Sequence, residues 1–430
     1  NKSSMESSPI SSNISASRPL FGSWSTTAYT LPLAGVGENH TRDAHNPLLR
    51  FTWKEGTAYH PRSLPGTMVR VAMVVTNACA PDPRVLRHAV WMQQAGFRVT
   101  VHAFDRKEHH SMSENHQGVR IMRYRVGNVA YGGTIGTYRG IRRFQRTVVR
   151  TLLNEPPGLV YCHDADTLRV GSELKARLGV PFVFDMHDLQ HTWVRYDSPQ
   201  SLLRKAVSGR MKKRMLMRAQ QAEVIIASSE QIHSDGHRGF VEWLTHHGFF
   251  FFVVENRPMP PFGTPKQTPV DAWTVGYIGR VRDIKSFELL VEAVKTLPAF
   301  ERPNIRVAGD GTAAARVRAL LMHEVEEGAL EAEVTGAFSQ SELPDLLESV
   351  DVMYAMYSPL RGNIVQGALP VKVFDAASRG VPSVVNSDCL MADLVEHERI
   401  GASAPWGDPE AVGQATVSYT HLTLPTNQCV

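Results

Sequence analysis

The feature that most constrains the fold is an alternation of apolar and amphipathic segments that begins after Met68. Residues 70–75, RVAMVV, are apolar on both faces, which is typical of a strand buried in a parallel sheet. Residues 83–96 carry apolar side chains at helical spacing and end in glycine, which predicts a helix. Residues 97–104 return to the strand pattern. This order predicts parallel strands joined by helices.

The alternation continues along the chain and restarts once. Further strands are predicted at 159–163, 181–187, 223–228 and 249–256. The Pro-rich residues 257–269 predict a linker. Beyond it, strands are predicted at 273–279, 304–309, 332–336, 351–356 and 382–386. We therefore predict an α/β protein with two tandem Rossmann-like, doubly wound parallel-sheet domains, at 68–256 and 270–416, which face each other across a ligand-binding cleft.

The two ends of the chain do not follow this pattern. Residues 1–67 are rich in Ser, Pro, Thr and Gly, and we expect a disordered or non-native extension there. The segment VSYTHLTLPT, residues 417–426, reverse-translates to a sequence that resembles a transposon-end adapter used for sequencing libraries. We expect residues 417–430 to be an adapter artefact, so that the second domain is truncated near Thr416.

Charge and cysteine content limit the class of protein. Residues 68–255 carry a net charge of +10 and residues 256–416 a net charge of −8, which suggests two domains with different partners. The four cysteines form no CxxC pair, which argues against a disulfide scaffold or zinc ribbon and fits a reducing compartment. No run of about 18 apolar residues predicts a membrane span. We expect a cytoplasmic location.

Two cations follow the first strand of the second predicted domain. Gly279 ends that strand, and Arg280 and Lys285 follow. Glycine lets the backbone approach a ligand closely, Arg binds phosphate bidentately, and Lys binds it as a point charge. This arrangement favours a diphosphate site at the mouth of the cleft. The alternative is a solvated pair of surface cations.

Two later segments of the second domain extend this candidate site. Gly309 and Gly311 lie in the strand-to-helix turn AGDG and could admit a nucleotide, although such turns also use glycine for steric reasons. In LPVKVFD, Lys372 lies in the first turn of a predicted helix, and Asp375 lies on the same face. A cation for phosphate and a carboxylate for ribose hydroxyls suit a nucleotide. The alternative is an ion pair on a helix surface.

These segments carry a resemblance to a known family. VGYIGR, the Gly-Asp-Gly turn and the LPVKVFD helix resemble the donor domain of retaining glycosyltransferases of family 4, which have the two-domain GT-B fold. In the first domain, PDPRVLRHA, VYCHDADTL, VFDMHDL and ENRP match recurring segments of the same family. The resemblance covers residues 68 to about 413.

The resemblance implies roles for individual residues. Arg280 and Lys285 would neutralise the nucleotide diphosphate and stabilise it as the leaving group. Asp375 would hold the ribose, and Lys372 would lie near the nucleotide. His187 would face the donor sugar. Members of this family are described as using same-face substitution, which needs no protein nucleophile and leaves charge stabilisation on the phosphate as the main task.

The chain departs from the family pattern at three places. Asp375 stands where the family usually has Glu, so the carboxylate is one methylene shorter. Gly367 stands where the commonest version has a second Glu, near the sugar. A subgroup has an upstream Asn instead, which would be Asn363 here. The glycine-rich loop after the first strand is also absent, so the acceptor contacts are less defined.

Candidate acceptor-side residues lie at the cleft edge of the first domain. His163 and Asp164 follow a predicted strand, and His163 would orient the acceptor. A His–Asp pair that caps local structure is the alternative. Arg84 and Arg87 lie on the helix after the first strand, and we expect one of them, with Arg84 as the candidate, to face the cleft.

Two predicted helices are basic. Residues 138–150 contain five arginines and no acid, and residues 201–221 contain seven cations and no acid, with apolar residues interspersed. A peripheral contact with an anionic membrane, at its inner face, is one interpretation. An ordinary amphipathic helix with a solvated basic face is the other. Nucleic acid is not expected, because no recognised binding motif accompanies the charge.

The sequence therefore predicts a retaining, hexosyltransferase-like glycosyltransferase. The donor would be a UDP- or GDP-sugar, the acceptor a glycan or lipid-linked molecule, and no metal or other cofactor is expected. The alternatives are a degenerate, non-catalytic nucleotide-sugar-binding protein and a UDP-sugar epimerase of the same architecture. A dinucleotide oxidoreductase is disfavoured, because no G-x-G-x-x-G motif follows the first strand.

Overall fold

The structure, a computed structural model, describes residues 68–80, 82–127, 135–196, 198–258 and 273–418. The predictions for residues 1–67, for most of the linker 257–269 and for residues 419–430 lie outside these ranges. The described residues contain two β-sheets with helices between their strands. The predicted α/β architecture of two parallel-sheet domains is confirmed.

The first domain is built on an eight-stranded sheet with the order β3-β4-β2-β1-β5-β6-β7-β8. Its strands are β1 (Arg70–Val75), β2 (Arg98–Phe104), β3 (Ser113–His116), β4 (Val119–Tyr124), β5 (Leu159–His163), β6 (Phe182–Met186), β7 (Val224–Ala227) and β8 (Phe251–Val253). All neighbouring pairs are parallel except β3 and β4. The central strands are buried on both faces, as their continuous apolar sequences predict.

Six helices accompany the first sheet in the described part of the chain. They are α1 (Pro83–Gln94), α2 (Ile135–Asn154), α3 (Leu168–Leu178), α4 (Gln190–Trp193), α5 (Leu202–Ala219) and α6 (Phe240–His246). Asp82 caps α1 by accepting a hydrogen bond from the Val85 amide, and Pro83 occupies the first turn, where no backbone donor is needed. Gly179 ends α3 in the left-handed conformation.

The hairpin of β3 and β4 is absent from the sequence-based prediction. The two strands are antiparallel, with His116 opposite Val119. Gln117 and Gly118 form the turn, and both have positive φ, which a two-residue hairpin turn of this hand requires. Only one face of β4 is well buried, so its apolar residues alternate with polar ones and give a weak signal.

The second domain is built on a six-stranded parallel sheet with the order β11-β10-β9-β12-β13-β14. Its strands are β9 (Thr274–Ile278), β10 (Asn304–Ala308), β11 (Ala332–Gly336), β12 (Val352–Ala355), β13 (Ser383–Asn386) and β14 (Gly401–Ala404). Its helices are α7 (Lys285–Thr296), α8 (Ala314–Glu326), α9 (Leu343–Glu348), α10 (Gly362–Val365), α11 (Val371–Ala377), α12 (Leu390–His397) and α13 (Pro409–Val417), with a 3₁₀ turn at Ala299–Glu301.

Strand order places a crevice at the carboxyl end of each sheet. In the second sheet, the chain runs outward from β9 to β11 and then returns to place β12 on the other side of β9. The loops after β9 and β12 therefore diverge, which is where open α/β sheets bind ligands. In the first sheet, the same reversal lies between β1 and β5.

The two domains share direct contacts. The Ser229 hydroxyl donates a hydrogen bond to the Gly367 carbonyl at 2.6 Å, and His237 Nδ1 lies 2.9 Å from Asp393 Oδ1. Apolar side chains also pack across the boundary, because one buried cluster contains both Phe184 of β6 and Phe374 of α11. Polar and apolar contacts therefore both join the two domains in this structure.

Most predicted strands are confirmed to within one or two residues of each end. The largest difference is β8, predicted at 249–256 and observed at Phe251–Val253. Phe252 of this edge strand and Phe250, just before it, are exposed, so the apolar sequence here does not reflect burial. Among the described residues, no helix combines the length and apolar character needed to cross a bilayer.

Candidate functional site

The loops after β9 and β12 bring the predicted cations of the second domain to one crevice. Tyr277, in β9, donates a hydrogen bond from its hydroxyl to the Arg280 carbonyl at 2.7 Å. Arg280 follows β9 and has an exposed side chain, and Lys285 begins α7 and is also exposed. The predicted pair therefore lies at the carboxyl edge of the sheet, with both side chains open to solvent.

The glycines of this crevice permit close approach of two backbones. A Cβ atom on Gly309 would lie 1.8 Å from the Gly279 carbonyl oxygen, and one on Gly311 would lie 2.0 Å from that of Val281. Gly309 also has φ of +150°. The turn after β10 thus packs against the loop after β9, and the Val281 amide donates a hydrogen bond to the Asp310 carbonyl. These contacts give Gly309 and Gly311 a steric role, and their predicted nucleotide contact stays a prediction.

Lys372 provides a buried cation beside Gly279. Its Nζ atom is buried, has no hydrogen-bond partner, and lies 3.1 Å from the centroid of the Tyr277 ring. A Cβ atom on Gly279 would lie 3.5 Å from that Nζ. Burial, together with the nearby Arg361 and Arg282, lowers the pKa of Lys372 well below its usual range. A buried ammonium group without a hydrogen-bond acceptor is unfavourable, so this position is suited to an anionic ligand.

Two further arginines join this crevice, and the sequence analysis did not assign them. Arg282 lies in the loop after β9, and Arg361 lies just before α10. Their guanidinium groups lie 4.9 Å and 4.8 Å from the centroid of the Trp193 ring, which belongs to the first domain. Isolated Arg and Trp residues carry no spacing signature, so only the tertiary structure brings them together.

Asp375 lies one turn after Lys372 in α11. Burial raises the pKa of Asp375 to about 6, and Arg87 of the first domain acts in the opposite direction. Arg87 is thus the arginine of α1 whose charge acts on Asp375 across the domain boundary. Asn363 is buried within α10, directly beyond Arg361 and Gly362. The roles predicted for Asp375 and Asn363 stay predictions.

Gly367, where the family resemblance leads us to expect a glutamate, forms a contact between the domains. Gly367 has φ of +100°, and a Cβ atom there would lie 2.5 Å from both the Arg238 carbonyl oxygen and the Gly239 Cα. The Gly367 carbonyl accepts the hydrogen bond from Ser229. A side chain at position 367 would be strained and would collide with the first domain, so this close backbone packing requires glycine.

In the first domain, Asp185 organises a buried polar network. Its carboxylate accepts hydrogen bonds from Arg84, with Nε 2.9 Å from Oδ2, and lies 2.8 Å from His163 Nδ1. Arg84 also donates to the Asn256 side chain at 2.7 Å. Burial disfavours the charge on Asp185, but Arg84 and His163 outweigh it and hold its pKa well below the usual range.

This network determines what Arg84 and His163 can contact. Arg84 is 4% exposed and His163 is fully buried. Because both side chains are buried, they could affect a bound acceptor only through neighbouring residues. Their predicted role on the acceptor side stays a prediction. His163 pairs with Asp185 rather than with its sequence neighbour Asp164.

Asp164 and His187 lie at the accessible edge of this network. Their side chains are about one quarter exposed, and His187 Nε2 lies 3.4 Å from Asp164 Oδ2. Burial lowers the pKa of His187 to about 4, so the imidazole is neutral near pH 7. Burial and the neighbouring Asp166 and Asp188 raise the pKa of Asp164 well above its usual range. A neutral imidazole beside a carboxyl group can exchange hydrogen bonds with sugar hydroxyls.

Metal ligands are not gathered in the part of the chain that the structure describes. No group of three or more His, Cys, Asp or Glu side chains is arranged to hold an ion within those residues. Independence from metals stays a prediction, which the cations of the crevice support by offering an alternative means of charge neutralisation.

Two family models match the chain, one in each domain. The model for a glycosyl transferase 4-like domain matches residues 80–241, and the model for glycosyl transferases group 1 matches residues 272–421. Together they span well over half of the 430 residues. Among curated proteins, no sequence gave a significant match.

Several solved structures are similar to this chain. Sucrose-phosphate synthase from Thermosynechococcus elongatus has a TM-score of 0.67 and 14% identity, covering 84% of this chain and 93% of its own. HepE from Anabaena, in complex with UDP and glucose, has a TM-score of 0.55 and 14% identity, covering 84% and 92%.

WaaG, a glycosyltransferase involved in lipopolysaccharide biosynthesis, has a TM-score of 0.56 and 11% identity, covering 84% of this chain and 93% of its own. At these identities the likeness shows the fold alone. The two family matches supply the class of enzyme. The chain therefore belongs to the glycosyltransferases with the GT-B fold.

Proposed function

We propose that this protein transfers a hexose from a nucleotide-diphospho-sugar to an acceptor hydroxyl with retention of anomeric configuration. The observation that carries the proposal is the buried Nζ of Lys372, which has no hydrogen-bond acceptor and lies beside Gly279 at the switch point of the second sheet. Arg280 and Lys285 lie on the same loop and helix end. This concentration of positive charge, within a domain that is acidic overall, suits a diphosphate.

In the proposed reaction, the bond between the anomeric carbon and the diphosphate oxygen breaks while a bond to the acceptor oxygen forms on the same face. The acceptor hydroxyl gives its proton to the departing phosphate oxygen. Arg280, Lys285 and Lys372 would stabilise the charge that develops on the diphosphate. His187, as a neutral imidazole, would bind a donor-sugar hydroxyl rather than supply charge.

The identity of the donor base and the class of acceptor are also proposals. HepE is similar in fold and is described in complex with UDP, which supports a UDP-sugar as the first donor to test. WaaG is described as acting in lipopolysaccharide biosynthesis, which supports a glycan or lipid-linked acceptor. GDP-sugars remain the second donor class. No cofactor beyond the co-substrate is proposed.

The decisive experiment measures nucleotide release over a panel of UDP-, GDP- and ADP-sugars, with and without acceptor extracts. Release that depends on an acceptor supports transfer. Conversion of a UDP-sugar alone into its epimer would favour an epimerase. Tight binding of a nucleotide without turnover would favour a degenerate binding protein, an alternative motivated by Gly367, which leaves no room for the usual glutamate.

Donor binding is expected to depend on pH through Asp375. Its pKa of about 6 means that the carboxylate that would accept ribose hydroxyls is ionised above pH 6 and protonated below it. Affinity for a nucleotide-sugar should therefore fall as the pH drops through 6, and approach a tenfold loss per pH unit well below that value. Calorimetric titrations from pH 5 to 8 measure this profile. An intact nucleotide-sugar is used because its diphosphate has no terminal phosphate group that titrates in this pH range.

Substitutions at Asp375 and Arg87 test whether Asp375 causes this pH dependence. Asp375→Asn should bind more weakly and lose the inflection near pH 6, whereas Asp375→Glu should retain an inflection. Arg87→Met should move the inflection to higher pH, because Arg87 lowers the pKa of Asp375. An unchanged inflection in Asp375→Asn would remove Asp375 from the ribose site.

We also propose a peripheral membrane contact through α5. Leu202 and Leu203 are 81% and 74% exposed, and Val207 and Met217 are also exposed. The helix carries seven cations and no acid between residues 201 and 221. α2 differs, because its apolar face is buried through Phe144 and other core residues while four of its five arginines are exposed. Exposed leucines among cations suit an anionic bilayer surface, and this location would be the inner face of the membrane.

Flotation with vesicles tests this contact. Leu202→Asn with Leu203→Asn should abolish binding to vesicles that contain 30% anionic lipid. Lys213→Gln with Arg214→Gln should weaken binding about 30-fold, at about 1 kcal/mol for each cation. Phe300→Ser, which removes an exposed aromatic residue of the second domain, is the control and should bind as wild type. Equal binding to neutral vesicles would contradict the electrostatic part of the proposal.

A further inference from the structure

A tryptophan of the first domain contacts two arginines of the second. The Trp193 ring centroid lies 4.9 Å from the Arg282 guanidinium carbon and 4.8 Å from that of Arg361. Trp193, Arg282 and Arg361 are called the arginine–tryptophan cluster below. The cluster crosses the domain boundary at the crevice that contains Lys372.

The position of Trp193 is fixed within the first domain. Its indole Nε1 donates a hydrogen bond to Asp188 Oδ2 at 2.6 Å, and Asp188 follows His187 at the end of β6. The helix that carries Trp193 is also seated closely on α10, because a Cβ atom on Gly362 would lie 3.2 Å from the Thr192 Cβ. The first domain therefore presents the indole ring at a defined place beside Arg361.

Both arginines of the cluster retain unused donors. Within the described ranges, neither the Arg282 nor the Arg361 side chain makes a hydrogen bond or an ion pair, and Arg361 Nε is buried without an acceptor. Contact with an aromatic ring orients a guanidinium group but leaves its N–H groups available to phosphate oxygens. Burial of the Arg282 guanidinium, together with Arg361 and Arg280, lowers the pKa of Arg282, and Asp188 acts in the opposite direction.

The cluster adjoins Lys372 through a shared aromatic residue. The Tyr357 ring centroid lies 4.6 Å from the Arg361 guanidinium carbon and 5.7 Å from Lys372 Nζ. Three cations therefore lie around Tyr357, Tyr277 and Trp193 with no anion bonded to them among the described residues. The lowered pKa of Lys372 and the aromatic contacts both relieve the repulsion among these groups, and a bound anion would favour the charged form of Lys372.

We infer that Trp193 is a positioning residue for the donor diphosphate, which holds Arg282 and Arg361 beside Lys372 when the first domain closes on the second. This inference rests on the proposed function, because it assigns the anion at this site to the nucleotide diphosphate. The second domain alone then has an incomplete anion site. Diphosphate binding and domain closure favour each other, since the ligand prefers the state in which all three cations are in place.

The test compares ligands with and without phosphate. Affinities of UDP, inorganic pyrophosphate and uridine are measured for wild type, Trp193→Leu and Trp193→Phe, with GDP and guanosine in parallel. Trp193→Leu should bind UDP and pyrophosphate at least tenfold more weakly and uridine within twofold of wild type. Trp193→Phe keeps an aromatic face and should recover UDP binding to within threefold of wild type.

A matched control uses another tryptophan that contacts a cation. The Trp243 ring lies 5.3 Å from Lys212 Nζ, a contact within the first domain, and Trp243→Leu should leave all three affinities unchanged. Arg361→Gln is the second variant, which keeps the proposal testable if Trp193→Leu does not fold. It should also weaken UDP and pyrophosphate binding while sparing uridine.

The outcomes separate this inference from the proposed function. If wild type binds UDP or GDP but Trp193→Leu and Arg361→Gln bind them equally well, the positioning role is overturned and the proposed function stands. Equal weakening of uridine and UDP would also overturn it, because that result indicates a general structural defect. If wild type binds neither a nucleoside diphosphate nor pyrophosphate, the proposed function fails as well.

Discussion

Arg280→Ala and Lys285→Ala are each expected to lower kcat by about 10²–10³-fold, which corresponds to about 3–4 kcal/mol of lost transition-state stabilisation. Departure of the sugar leaves extra negative charge on the diphosphate, and these two exposed cations flank the crevice where we place it. Lys285 also begins the twelve-residue helix α7, whose amino end favours an anion. An interaction that strengthens as charge develops acts on kcat more than on KM.

Steady-state nucleotide release gives kcat and KM for each variant. Two controls match the substituted residues but lie outside the crevice. Lys295→Ala removes a lysine in the last turn of α7 that pairs with Glu324, and Arg306→Ala removes an arginine of β10 that pairs with Glu333. Both should retain activity within about twofold, because surface ion pairs contribute little. Unchanged rates in Arg280→Ala and Lys285→Ala would refute the diphosphate role.

Lys285→Arg refines this prediction. Arginine keeps the positive charge but differs in geometry, so partial activity is expected if charge near the diphosphate is what matters. Complete loss in both Lys285→Ala and Lys285→Arg, with normal folding, would instead indicate that the compact ammonium group is required. In either case the loss should appear in kcat, whereas a purely structural defect would lower the thermal stability of the protein.

The buried strands were predictable from sequence because burial on both faces leaves a continuous apolar run. β1 and β5 occur where the sequence predicts them. The hairpin of β3 and β4 was not predicted, since β4 is buried mainly on one face and β3 is largely exposed. β8 was predicted too long, because its apolar sequence suggests a buried strand whereas phenylalanines of this segment lie on an exposed edge. Burial, which decides these cases, is a tertiary property.

The candidate site was predictable only where a local motif carries the chemistry. Gly279, Lys372 and Asp375 lie in segments whose order along the chain matches a family pattern. Trp193 and Arg361 are 168 positions apart and meet only because the two domains close. Arg84 was predictable as a cleft candidate, but its burial depends on Asp185, which is 101 positions away. Pairings between distant residues leave no periodic signal in a single sequence.

The glutamate that the commonest family version carries is expected to be harmful if it is restored at position 367. Gly367 has φ of +100°, which strains any residue with a side chain, and its missing Cβ would approach the Gly239 Cα to 2.5 Å. Gly367→Glu should therefore separate the domains at this point rather than supply a catalytic group. We expect loss of nucleotide release to background, together with a lower unfolding temperature.

Gly367→Ala and Gly336→Ala separate backbone strain from collision. Gly336 has φ of +89° and no atom within 4 Å of a Cβ position, so alanine there should cost only the strain, about 1 kcal/mol. Gly367→Ala adds collision with Arg238 and Gly239 and should lower the free energy of unfolding by about 2–4 kcal/mol. Denaturant unfolding of the two variants measures the difference. If both variants lose the same free energy of unfolding, the side chain at position 367 does not collide with the first domain. Steric exclusion would then not explain why glycine rather than glutamate stands there.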